Sequence, residues 1–81
     1  MNDEAIYATL TGIFRDAFSR EDMVIAARMQ ARDVAGWDSM KMVSILMAVE
    51  ERFAIKLRSR ETDKLASVGD LVDLIRTKTA G

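Results

Sequence analysis

Apolar residues recur along this chain at the three-to-four-residue spacing of helices, with no stretch that alternates as a half-buried strand does. Ile6, Leu10, Ile13, Phe14, Ala17 and Phe18 make one stripe, which predicts a first helix from about Asp3 to Ser19. Asp3 and Glu4 fall in its first turn, where the helix dipole favours acids. Residues 20–37 are less regular. Met23, Val24, Ile25, Met29 and Val34 suit a long loop or one that holds a short helical turn, and a connection of this length is often functional. Gly36 marks a turn before the next element. Asp38 is a good N-cap, so a second helix starts near Asp38-Ser39 and runs to about Phe53. Ala54 to Arg60 reads as a connection anchored by Ile55 and Leu57, and Glu61 to Ala66 as one short helix. Ser67-Val68-Gly69-Asp70 has the form of a capping box with Asp in place of Glu or Gln. Val68, Leu71, Val72 and Ile75 follow at helical spacing, so the last helix spans about Val68 to Lys78. The expected fold is an all-α four-helix bundle, with three main helices and one short one, as a single domain over residues 1–81. The absence of Pro agrees with it.

The second helix has two apolar faces. At about 3.6 residues per turn, Met42, Ile45, Leu46, Val49 and Phe53 gather on one side. Met40, Val43 and Met47 gather nearly opposite. One face meets the core. In so small a bundle the other reads either as a second buried face or as an exposed docking stripe, rimmed by Glu50 and Glu51. Methionine suits a surface that must fit several partners.

Composition removes several function classes. The chain has 81 residues, 49% hydrophobic and 31% charged, a globular balance for one small domain. Its net charge of −1 argues against general nucleic-acid binding. No apolar run is long enough to span a bilayer. The opening MNDEAIYATL carries acids where a signal peptide needs a basic start, which points to the cytoplasm. Without Cys or His the chain offers no thiolate nucleophile, no disulfide, no thiolate zinc site and no serine–histidine unit.

Ser39 stands where the second helix begins. A helix N-terminus presents unpaired N–H groups and partial positive charge, and a phosphate esterified to that serine is stabilised there. Taken alone, Asp-Ser at a helix start is usually only a cap. The wider context is more specific. Gly36-Trp37-Asp38-Ser39-Met40 resembles the G-x-D-S-[LM] attachment motif of acyl and peptidyl carrier proteins. Val43 to Leu57, VSILMAVEERFAIKL, is similar to that family's second helix and its exit. Leu65-Ala66-Ser67-Val68-Gly69-Asp70-Leu71 is similar to the approach to its last helix, so the resemblance covers roughly residues 34–77.

The resemblance implies covalent 4′-phosphopantetheine, from coenzyme A, on Ser39, with Asp38 as the aspartate before it. It implies a carrier and not an enzyme: the cofactor's thiol would hold acyl groups as thioesters, which explains thiol chemistry in a chain without Cys. Partner-facing positions would be Met40, Lys41, Val43, Ser44, Met47, Glu50 and Glu51. An acyl-chain pocket would be lined by Ile45, Leu46, Val49, Phe53, Leu65, Val68 and Leu71, though any one of them reads more readily as ordinary core. Implied partners are a phosphopantetheinyl transferase, an acyl-loading ligase or synthase, and acyltransferases, met by a monomer. Between Trp37 and Arg58 the acids Asp38, Glu50 and Glu51 face four bases, Lys41, Arg52, Lys56 and Arg58, a net of +1. General fatty-acid carriers are acidic there, so this departure, with the Trp37 of the GWDS form, points to a stand-alone carrier of a specialised acyl or polyketide pathway. An aminoacyl or peptidyl carrier, and an unmodified carrier-like interaction domain, remain the alternatives.

Overall fold

The computed structural model describes residues 2–80. Its main helices are α1 (Asp3–Phe18), α2 (Ser39–Phe53) and α4 (Val68–Thr79), with a single turn, α3 (Ser59–Thr62), between the last two. Each main helix starts on a side-chain cap. Asn2 accepts from Ala5 N–H at 2.8 Å, Asp38 from Lys41 N–H at 2.8 Å and Ser67 from Asp70 N–H at 3.2 Å. The reciprocal bond of the Ser67 box reaches one residue further back, from Ala66 N–H to the Asp70 carboxylate at 2.9 Å.

The core forms where the apolar stripes converge. Ile6, Leu10, Ile13 and Phe14 of α1 meet Ile45, Val49 and Phe53 of α2 and Val68, Leu71, Val72 and Ile75 of α4, all buried. The long connection between α1 and α2 adds Met23, Ile25 and Val34 and contains one 3-10 turn at Ala31–Asp33. It is tied to α4 by two backbone bonds, Val68 N–H to the Met29 carbonyl (2.9 Å) and Gly69 N–H to the Ala27 carbonyl (2.8 Å). Gly69 permits this approach, because a Cβ there would lie 3.1 Å from the Ala27 oxygen. Gly36, at φ +86°, makes the turn that redirects the chain into α2.

Three helices differ in their bounds from the sequence reading, the first being α1, which ends at Phe18 with Ser19 as its left-handed cap. The short helix lies at Ser59–Thr62 instead of Glu61–Ala66, because Glu61 closes the turn rather than opening it. Its carboxylate accepts from Arg58 N–H at 3.0 Å while Glu61 and Thr62 amides return to the Arg58 carbonyl. α4 ends at Thr79 instead of Lys78, and the Thr79 hydroxyl donates to the Ile75 carbonyl at 2.8 Å.

The exit of α2 is strained. Ala54 sits in the left-handed region at φ 54°, which a Cβ disfavours. Ala54→Gly is expected to raise stability by about 1 kcal/mol, read as a higher midpoint in denaturant at unchanged slope.

Ion pairs join the C-terminal end of α4 to its neighbours. Arg76 donates to the Asp3 carboxylate at 2.6 and 3.0 Å, and Lys78 pairs with Glu61 at 2.9 Å. The Arg76 bond holds the Asp3 carboxyl below its usual range, and the Lys78 and Arg58 bonds do the same for Glu61. Carboxyls depressed in the folded state add stability above their unfolded values and lose it as pH falls through them. Thermal unfolding should therefore be flat above about pH 5 and decline below about pH 4. The decline should be shallower in Asp3→Asn and Glu61→Gln, by a modest amount since the Asp3 pair is open to solvent and the Glu61 pair partly so.

Candidate functional site

The start of α2 is open to solvent, with Asp38, Ser39 and Met40 all exposed. The Asp38 cap accepts from Lys41 N–H, and Met42 N–H returns to the Asp38 carbonyl at 2.9 Å. The N–H groups of Ser39 and Met40 precede the first intrahelical bond and point out from the helix end. Ser39 is exposed, and beyond the Asp38 cap no acid stands in the first turn of α2. An anion at the Ser39 hydroxyl would gain from both.

Beside Ser39 opens a cleft of about 370 Å³, within the span of small-ligand sites (about 300–1,000 Å³). Trp37, Asp38, Ser39 and Met42 form its α2 side. Thr62, Leu65, Ala66, Ser67, Val68 and Leu71 form the α3–α4 side, and Ala31 of the connecting loop completes it. The lining mixes apolar surface with hydroxyls. It suits a group with both polar and apolar parts.

Of the seven residues expected to line an acyl pocket, Leu65, Val68 and Leu71 line this cleft. Ile45, Val49 and Phe53 do not line the cleft, because they point into the core against α1 and α4, and Leu46 is half-buried against that core without reaching the cleft. Sequence reading missed Met42, Thr62 and Trp37 as lining. Met42 was legible in principle, since it lies one turn from Ser39 on the same side of the helix.

Trp37 anchors the floor. Its ring meets Phe14 edge-on at 5.2 Å and Phe18 at 6.2 Å. Its indole N–H is buried and finds no acceptor among the described residues.

The second apolar face of α2 is solvent-exposed. Met40 is 81% exposed, Val43 56% and Met47 64%, so full burial of the helix is excluded. Ser44 and Glu51 are exposed beside them. Lys41 and Glu50, expected on the same surface, are turned inward. The Lys41 ammonium donates to the Ala17 carbonyl at 2.7 Å, and the Glu50 carboxylate accepts from Leu57 N–H at 2.9 Å.

Comparison with known proteins agrees with this geometry. Residues 8–75 match the family described as phosphopantetheine attachment site. The chain is similar to the acyl carrier protein of an Exiguobacterium species, at 30% identity over 96% of this chain and 99% of that one. It is 31% identical to the acyl carrier protein of Clostridium acetobutylicum over 91% of this chain and 96% of the other. Its fold matches the solution NMR structure of a holo acyl carrier protein from Geobacter metallireducens with a TM-score of 0.86, at 35% identity, covering 91% of this chain and 85% of that one.

The Asp38 cap holds the open helix end in place. Asp38→Ala is expected to cost about 1 kcal/mol of stability, measured by chemical denaturation, while Asp38→Asn, which keeps the acceptor, should cost little.

Proposed function

The chain belongs to the phosphopantetheine attachment family and is an acyl carrier protein, and we propose that its covalent 4′-phosphopantetheine is attached to Ser39. The observation that carries this reading is the exposed hydroxyl at the unblocked N-terminus of α2, at the mouth of the cleft. The residues fit the group: the Ser39 and Met40 N–H groups and the α2 dipole would hold its phosphodiester, and the cleft between Met42 and Leu65 would shelter the rest of the arm. When bound, the group supplies the thiol that a chain without Cys lacks, and acyl groups ride on it as thioesters.

The chain's own residues bind, orient and exclude water. Asp38 holds the helix end with one carboxylate oxygen and leaves the other for the transferase or its metal ion. Leu65, Val68 and Leu71 cover an acyl chain against water, which protects a thioester from hydrolysis. Partner enzymes dock on Met40, Val43, Ser44 and Met47, with Glu51 at the rim. These partners are the transferase, a loading ligase or synthase, and acyltransferases. The carrier performs no catalysis itself and works as a monomer in the cytoplasm. It serves fatty-acid-type or specialised acyl synthesis.

Incubation with coenzyme A and a broad-specificity phosphopantetheinyl transferase tests the assignment by intact mass. The protein should gain one phosphopantetheine and Ser39→Ala none. A folded wild-type sample that several transferases leave unchanged would instead make the chain an unmodified interaction domain.

A further inference from the structure

We propose that Lys41 is a positioning residue for Ser39: its ammonium straps the start of α2 to the end of α1 and is not offered to partners. The proposal rests on the reading of Ser39 as the modified residue. Lys41 is the third residue of α2. Its Nζ lies 2.7 Å from the Ala17 carbonyl oxygen, one of the last carbonyls of α1, which the helix end leaves without a helical partner. The same ammonium stands 5.4 Å from the centroid of the Phe18 ring. A positive charge in the first turn opposes its own helix dipole, and no acid in that turn of α2 offsets it. The long side chain carries the charge away from there to the negative end of α1, where the dipole favours it.

A second cation of α2 does the same from further along. Arg52 pairs with Asp16 at 3.5 Å. Lys41, Ile45, Ala48 and Arg52 share one stripe of α2 at helical spacing, so the last turn of α1 is bracketed by the two cations with Ile45 buried between them. The Arg52 pair is open to solvent and adds little. Lys41 is half-buried and lies against Phe18, which itself packs on Trp37, two residues before Ser39. Phe18, Trp37 and Lys41 thus close a ring around the start of α2, and the serine's place at the cleft mouth depends on it. The exposed docking stripe of Met40, Val43, Ser44 and Met47 is left without charge.

The test compares wild type, Lys41→Arg and Lys41→Met as substrates for phosphopantetheine transfer, at low and high salt and below the unfolding transition. It is paired with amide NMR spectra of the unmodified proteins. Lys41→Met is expected to lower kcat about tenfold, as a displaced reacting group does, with KM unchanged in either salt. It should also shift the amides of Phe18 and Ser19 together with that of Ser39. Lys41→Arg keeps the donor and the charge and should restore both readouts. A rise in KM that disappears at high salt, with kcat and the α1 amides unmoved, would make Lys41 a docking charge and overturn the proposal, as would no change at all. Failure of Lys41→Met to fold, beside a folded and loaded Lys41→Arg, would support the strap, since a solvent-facing lysine is replaceable. If wild type itself is not loaded, the assignment of Ser39 fails, and the α1 amide shifts still decide the strap.

Discussion

A helix that presents its first residue to an enzyme must be held along its length and left open at its start. α2 meets this constraint. Ile45, Val49 and Phe53 bury one side against α1 and α4, and the Glu50 carboxylate secures the exit by accepting from Leu57 N–H. Of the amides at its N-terminus only that of Lys41 is capped by a side chain, Asp38, so Ser39 and the first N–H groups stay free. The remaining elements serve the same end. The connecting loop is stitched to α4 through Met29 and Ala27, which fixes Trp37 and the floor of the cleft.

Much of the chain's charge is used inside the fold. Asp33, Asp38, Glu61 and Asp70 accept from backbone amides at element starts. Lys41 and Arg52 reach the end of α1. The net charge of α2 and its flanks therefore says less about partner choice than a count of residues implies. The outward side of α2 is largely methionine, valine and serine, a surface that packs by shape more than by charge.

The helices were legible because three apolar stripes and two caps, Asp38 and Ser67, point the same way, while the Asn2 cap of α1 was not read. The expected start and end of α2, Ser39 and Phe53, match the structure because Asp38 and the Phe53-Ala54 boundary leave little choice. The exposed stripe was legible as an alternative and the structure decided it. Periodicity tells which face of a helix turns inward but not what it meets there. Ile45 and Val49 were therefore named as pocket candidates although core was the readier reading, and Met42 was overlooked as cleft lining. The inward turn of Lys41 depends on where α1 ends in space, 24 residues away in sequence, and no local pattern encodes it.

The central claim is that whatever Ser39 carries enters the cleft between α2 and the α3–α4 side. Amide NMR spectra of the unmodified protein and of the protein loaded with a medium-chain acyl group test it most directly. The account predicts shifts that extend from Ser39 to Met42, Leu65, Ser67 and Leu71, and at the indole N–H of Trp37, the one tryptophan. Shifts confined to Ser39 and Met40 would show that the cargo stays in solvent, and would contradict the account.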